Sequence, residues 1–435
     1  MLHFYVNIFN NIKKIINIIL LNKINLISFL SILFIILLFT DSKILSSISK
    51  KINNYPIVSI YNATIGAFNI KNHEFINLIS DTNIYPSKDA PDLILMLGES
   101  ARADHFSAYG YKYETNKYTK DIKAIKYIPN ARSCRMSTSL SLSCLLTGYD
   151  SEQYFYTPNQ SSIVSYAYYS GYDIYYVSST ALDVLDAFSY ESKFIKKIYL
   201  SRNVINSDFY KSNDLFLVDS LKDIYKNRNK NKPIFVILHG IGSHFPYINK
   251  VDHEFYDAFS TNNHGNIDYT NNNSALCFNL KGNSYNDHVN WYDATILYTD
   301  YIIYNIINVI KGSNTLFIYT SDHGESFGEY GQPCLHGYNS QEVWNVPFLI
   351  YISDKFSTFY KDKIVNYYNN VSLIVKSNKY WPAHTTIVPS LLDCMNSHFS
   401  YNHNFSLFSK TFNAINEETG CEKFKNDLTA APYCR

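Results

Sequence analysis

The sequence has no Cys-x-x-Cys pair, only 15 glycines and 12 prolines in 435 residues, and no excess of either charge. Without a Cys-x-x-Cys pair, a structural zinc ribbon or finger is excluded. A formal net charge of +1, from 38 basic and 37 acidic residues, argues against a general nucleic-acid binder. No repeat of fixed period is present, which excludes solenoids and propellers. The chain is 46% hydrophobic and 17% charged, so wholesale disorder is excluded as well. Its length suits two or three domain-sized units, or one large α/β domain with additions. The many tyrosines (40) and phenylalanines (28), with Ile, Asn and Lys, read as codon usage of a genome rich in A and T.

Long apolar runs are also scarce, with one exception. Residues 24–39, INLISFLSILFIILLF, carry no charge, and Asn25, Ser28 and Ser31 are the only polar side chains. Sixteen residues fall slightly short of the roughly 20 that span a bilayer. Residues 15–21 extend the run, interrupted by Asn22 and Lys23. Lys13, Lys14 and Lys23 precede it, which favours a cytoplasmic N-terminus, although Lys43, Lys50 and Lys51 follow it. No small-residue cleavage site follows. The expectation is an N-terminal membrane anchor within 1–40 (span about 15–40), a linker over 41–90 and a catalytic domain over 91–435.

The seven cysteines leave the compartment open when taken alone. Cys134 and Cys144, and Cys421 and Cys434, lie close in sequence, whereas Cys277, Cys334 and Cys394 are scattered. An odd count leaves at least one thiol free or paired between chains.

From Pro91 onward, short apolar runs recur at 93–97 (LILML), 174–177 (IYYV), 234–238 (IFVIL), 316–319 (LFIY) and 347–352 (PFLIYI). They lack period-two alternation, as strands covered on both faces do. Segments of helical length separate them, such as 290–311. This is the pattern of an α/β protein with a largely parallel sheet, whose sites gather beyond the carboxyl ends of the strands.

Three of those strand ends carry chemistry. Glu99 follows the first run, His239 to His244 the third, and Asp322-His323 the fourth, with His336 further on. Carboxylates and imidazoles are the ligand set of zinc or a similar divalent ion. One such residue at a strand end is an ordinary cap or solvated loop residue; several together point to a site. The hydroxyl-rich stretch 133–144 (SCRMSTSLSLSC) reads as a turn into a helix. A hydroxyl at a helix N-terminus sits in a positive field, and a metal lowers its pKa. A Cys134–Cys144 disulfide would hold that turn rigidly, and ordinary helix capping is the plainer use of the same residues.

Together these pieces resemble the alkaline-phosphatase/sulfatase superfamily, and within it the membrane-bound phosphoethanolamine transferases that modify lipid A and lipopolysaccharide. The matching motifs are GESARADHFSAYGY (98–111), Thr115-Asn116, SC-x3-T-x5-C (133–144), LHGIGSH (238–244), NWYDATILYTDY (290–301), SDHGES-x-GE (321–329), LHG (335–337) and VPFLIY (346–351), in the family's order. The resemblance implies an alkaline-phosphatase/sulfatase-like α/β sandwich, its mostly parallel central sheet flanked by helices, after an N-terminal transmembrane helix. It implies that Glu99, Asp322 and His323 bind a catalytic zinc, with Thr138 as nucleophile and fourth ligand. His244 and His336 would hold the transferred phosphoryl group, or a second zinc. The implied reaction is ping-pong, from a phosphatidylethanolamine donor to lipid A or another lipopolysaccharide acceptor. The implied setting is a bacterial inner membrane, with the N-terminus cytoplasmic and the catalytic domain periplasmic.

Several features depart from the family. One span stands where several are usual, and Ser133-Cys134-Arg135-Met136 replaces Ser-Cys-Gly-Thr. The family's donor-phosphate lysine has no clear match near residues 178–183. Cys277 and Cys334 would be an alternative disulfide pair. The C/S-x-P-x-R signature of sulfatases is missing, which argues against sulfate ester chemistry. A phosphatase, phosphodiesterase or phosphoglycerol transferase of the same superfamily is the alternative enzyme, and a non-catalytic relic the alternative class.

Overall fold

The computed structural model describes residues 89–149, 161–180, 191–201, 214–248, 250–263, 285–329, 333–395 and 401–424. The expected anchor, and the expected linker up to residue 88, lie outside the described residues. Among the described residues, no helix is long and apolar enough to cross a membrane.

The strands are β1 (Asp92–Gly98), β2 (Ile125–Tyr127), β3 (Asp173–Ser178), β4 (Ile195–Leu200), β5 (Ile234–His239), β6 (Thr315–Ser321), β7 (Ser326–Phe327), β8 (Cys334–Leu335) and β9 (Phe348–Ile352). Seven of them form one sheet in the order β2-β9-β6-β1-β5-β3-β4. Its centre, β6-β1-β5-β3-β4, is parallel, whereas β9 runs antiparallel to β6 and β2 antiparallel to β9. β7 and β8 make a separate antiparallel pair.

The helices that cover the sheet are α1 (Thr138–Thr147), α2 (Ile163–Tyr169), α3 (Leu215–Asn227), α4 (His253–Asp257) and α5 (Tyr285–Ile310). After them come α6 (Gln341–Trp344), α7 (Asp354–Phe359), α8 (Lys361–Ser377) and α9 (Ala383–Cys394). Leu93, Leu95 and Leu97 of β1 face one apolar layer with α1, α2, α8 and α9. Ile94 and Met96 face the other, with α3 and α5. Every residue of β1, β5 and β6 is therefore buried, which is why these strands read as continuous apolar runs.

The five strands expected from apolar runs are all present, and the expected helix over 290–311 is the second part of α5. Two strands of the seven-stranded sheet carry no such run. β2 is three residues long, and β4 (IKKIYL) lies at the sheet edge with Lys196 and Lys197 exposed, a usual guard against edge pairing. The sheet order puts the carboxyl ends of β6, β1 and β5 side by side. Asp322-His323, Glu99 and the 239–244 segment therefore meet at one rim.

Candidate active and metal site

The rim is assembled by main-chain bonds between the three strand ends. Asp322 donates its N–H to the Gly98 carbonyl at 3.1 Å, Gly240 to Leu97 at 2.9 Å and Ser243 to Glu99 at 2.9 Å. Ser100 turns the chain at φ 57°, a left-handed conformation uncommon outside glycine. That turn aims the Ser100 N–H at Asp322 Oδ1 (3.1 Å) and the Ala101 N–H at Ser321 Oγ (2.7 Å). Gly242 sits at φ 45°, and a Cβ there would come within 2.9 Å of the Glu99 main chain, so no larger residue fits this crossing.

Glu99, Asp322 and His323 are all buried, and one ligand atom from each lies within 4.8 Å of the others. Asp322 Oδ1 also takes the His323 N–H at 2.7 Å, whereas Oδ2 has no hydrogen-bond partner. That orphan oxygen is 3.3 Å from His323 Nε2, and Glu99 Oε1 is 3.4 Å from the same nitrogen. His323 Nδ1 donates to the Gly324 carbonyl at 2.8 Å, which leaves Nε2 to face the carboxylates.

The charges show what the cluster wants. Burial opposes the Glu99 charge, yet hydrogen bonding and charge from His323 hold its carboxyl well below the usual range. Burial and the Glu99 charge push Asp322 up to about 7. Burial would lower His323, but Asp322 and Glu99 hold it up at about 10. Two buried carboxylates thus gather positive charge onto one imidazole. A divalent cation would satisfy the orphan oxygen and replace that proton, so the residues present fit a zinc ion.

Thr138 joins them as the first residue of α1. Its hydroxyl is 3.1 Å from Glu99 Oε2 and 3.3 Å from His323 Nε2. Ser137, the residue before the helix, makes no side-chain cap, so it does not occupy the amides of the helix N-terminus. The turn is fixed by a Cys134–Cys144 disulfide with a Cα–Cα distance of 6.5 Å. His384 of α9 buttresses it, accepting from the Cys134 N–H at 3.2 Å and reaching the Ser321 carbonyl at 2.9 Å. Cys334 and Cys421 are disulfide-bonded too, and Cys394 is a free buried thiol. Cys277 and Cys434 lie outside the described residues.

His336 and His244 complete the constellation. The His336 ring centroid is 4.1 Å from that of His323 and 6.4 Å from that of His244. Both charges act on Glu99. His336 Nδ1 is 3.5 Å from Oε2 of Glu325, a buried carboxylate with neither oxygen hydrogen-bonded. All six residues expected from the motifs are therefore brought to one place.

Sequence reasoning missed the supports. Arg102 is buried and bridges Asp104 (2.6 Å), Glu329 and the Glu325 carbonyl (3.2 Å), tying the first motif to the SDHGES loop. Tyr292 of α5 accepts from the Arg102 N–H at 2.8 Å and donates to the Ser100 carbonyl at 2.7 Å. Asp293 pairs with His105 at 2.7 Å and takes the Tyr111 hydroxyl at 2.7 Å. Asp214 accepts from the N–H groups of Ile241 (3.0 Å) and Gly242 (3.1 Å), which shapes the loop ending in His244. Arg102, Tyr292 and Asp293 stood inside the quoted motifs. Asp214 and His384 had no local signal.

The Sulfatase family model matches residues 91–397. The chain belongs to the sulfatase family. Among curated proteins, the domain is similar to the phosphoethanolamine transferase EptA of Escherichia coli K12, at 29% identity over 283 residues, covering 62% of this chain and 47% of that protein. EptA of Helicobacter pylori is 29% identical over 285 residues, 62% of this chain and 49% of that protein. The chain spans about half the length of these relatives. Two solved structures share the fold. One is the zinc complex of the C-terminal periplasmic domain of EcEptC from E. coli, with a TM-score of 0.61 at 19% identity, covering 80% of this chain and 95% of that one. The other is the integral membrane lipooligosaccharide phosphoethanolamine transferase A of Neisseria meningitidis, with a TM-score of 0.57 at 21% identity, covering 88% and 70%. The resemblance expected from the motifs holds at family level, and the expected sulfatase-like sandwich with a mostly parallel sheet is the observed fold.

Proposed function

We propose that this sulfatase-family domain transfers phosphoethanolamine from phosphatidylethanolamine to lipid A or another lipopolysaccharide acceptor, by way of Thr138. The observation that carries the reading is the Thr138 hydroxyl, which sits at a helix N-terminus within 3.3 Å of both Glu99 and His323. The family alone does not decide the chemistry, because residues 134–138 lack the C/S-x-P-x-R signature that sulfate ester cleavage uses. The curated relatives named phosphoethanolamine transferases supply the group transferred.

Glu99, Asp322, His323 and Thr138 would hold one zinc. When bound, it lowers the pKa of the Thr138 hydroxyl and offsets charge on the phosphoryl oxygens. The chain's own residues do the rest. Glu99 takes the hydrogen bond of the Thr138 hydroxyl and so orients its oxygen for attack. A bond forms from Thr138 Oγ1 to the donor phosphorus, and the bond from phosphorus to the glycerol oxygen breaks. Diacylglycerol leaves with a proton. The N-terminal amides of α1 face the phosphoryl group now on Thr138. An acceptor oxygen then attacks that phosphorus, and the threonine oxygen leaves and regains a proton. His244 Nδ1 donates to the Phe245 carbonyl, so its Nε2 is left as the base for the acceptor proton. His336, between His323 and Glu325, would hold the phosphoryl oxygens.

The setting follows from the same reading. A Cys134–Cys144 disulfide suits an oxidising compartment, and the apolar run at 24–39 would tether the domain beside its lipid donor. The test is release of diacylglycerol from phosphatidylethanolamine bilayers by the zinc-loaded full chain. The reading expects a single-turnover burst of release without an acceptor, sustained release only with one, and neither in Thr138→Ala. Acceptor-independent release of free phosphoethanolamine would identify a hydrolase instead.

A further inference from the structure

Lys250 is used by none of the motifs, yet it is buried, with 2% of its surface exposed. Its ammonium donates to the main-chain carbonyl of His244. It forms no ion pair with a described carboxylate; the charges that act on it are those of Asp214, Glu99 and Glu325. Two of those three belong to the candidate site. A buried ammonium without a carboxylate in contact is costly, and the fold holds the surrounding loop in place to keep it there. The Tyr256 hydroxyl accepts from the N–H groups of Lys250 (2.7 Å) and Val251 (3.1 Å) and donates to the Tyr247 carbonyl (2.8 Å). This clamp returns the chain towards His244 six residues after leaving it.

The site has need of such a charge. A phosphate ester must come to rest among Glu99, Asp322 and Glu325, three buried carboxyl groups. We propose that Lys250 is a positioning residue for that anion. It fixes the His244 peptide through its carbonyl, so that the imidazole keeps its place, and it sets a positive charge behind the phosphoryl pocket. The proposal rests on the reading of this site as one that holds a phosphoryl group.

The probe is inorganic phosphate, titrated calorimetrically into the zinc-loaded full chain in detergent, with zinc content and Tm measured alongside. Lys250→Met is expected to weaken phosphate binding about tenfold while keeping zinc, and Lys250→Arg to restore most of the loss. Tyr256→Phe loosens the same loop but keeps the ammonium, so its phosphate affinity should stay near that of the parent chain while Tm falls. Unchanged affinity in Lys250→Met overturns the proposal. So does a loss in Tyr256→Phe equal to that in Lys250→Met, which would make the lysine merely structural. Should Lys250→Met fail to fold, a folded Lys250→Arg with tenfold weaker binding overturns it, and preserved binding supports it. Absence of phosphate binding in the unaltered chain would overturn the transferase reading, and this proposal with it.

Discussion

Two buried clusters in this domain each bring three metal-type ligands together: Glu99–Asp322–His323 and Cys134–Cys144–His384. By residue type and proximity they are equivalent, and the second even has the softer donors. Their bonding separates them. The two sulfurs of the second cluster are joined to each other. Both nitrogens of His384 are occupied, Nδ1 by the Cys134 N–H and Nε2 by the Ser321 carbonyl. Burial lowers His384 to about 3, so it stays neutral and serves as a strut. In the first cluster Asp322 Oδ2 has no hydrogen-bond partner, and His323 is held protonated by the carboxylates around it. An orphaned ligand atom and uncompensated charge mark a binding site; a satisfied cluster of the same residues is scaffold.

The largest expected effect falls on the first cluster alone. Asp322→Asn should lower zinc affinity by more than roughly a hundredfold and abolish diacylglycerol release, with Tm of the metal-free chain little changed. Metal analysis after dialysis and the lipid assay check both. Next comes the strut. His384→Ala should cost about 3 kcal/mol of folding stability in urea titrations, because it opens a cavity and strands the Cys134 N–H, yet it should leave zinc stoichiometry unchanged. Zinc loss in that variant would erase the distinction between the clusters.

Replacing Cys134 and Cys144 together by serine should cost about 2–3 kcal/mol and slow transfer more than it weakens zinc binding. The reason is that the disulfide spans the turn holding Thr138. The smallest effect is a pH slope. Burial depresses His384 to about 3 and His239 to about 4, below the ordinary histidine value of 6.5. Below that value the unfolded chain takes up protons that the folded chain refuses. Stability from these two groups is therefore present above about pH 6.5 and lost as pH falls towards 4, by up to ~1.4 kcal/mol per pH unit for each. Asp322, pushed up to about 7, acts in the opposite sense over the same range, so the check is the difference between two denaturant titrations from pH 7 to 4: His384→Ala should lose less stability on acidification than the parent chain.

The candidate ligands were legible in the sequence because each stands directly after an apolar strand, where α/β sites form. Glu99, Asp322 and His323 follow β1 and β6, which are neighbours in the sheet. The sheet's parallel centre was legible for the same reason, since strands buried on both faces read as unbroken runs. The direction of β9 was not, because its apolar run is the same whichever way it pairs. Edge strand β4 hid behind its lysines. The scaffold stayed invisible because its partners are remote: His384 meets Cys134 across 250 residues of sequence. Asp214 and Lys250 likewise act on loop main chain, which leaves no local pattern. Thr138 was picked from among several hydroxyls by family resemblance, and its hydroxyl lies 3.1 Å from Glu99 Oε2.

The most direct test of the account is the mass of the peptide carrying Thr138, taken after the zinc-loaded chain has met phosphatidylethanolamine without an acceptor. The account predicts a phosphoethanolamine adduct on Thr138, absent from Asp322→Asn. Diacylglycerol release with that peptide unmodified at every time sampled would contradict it.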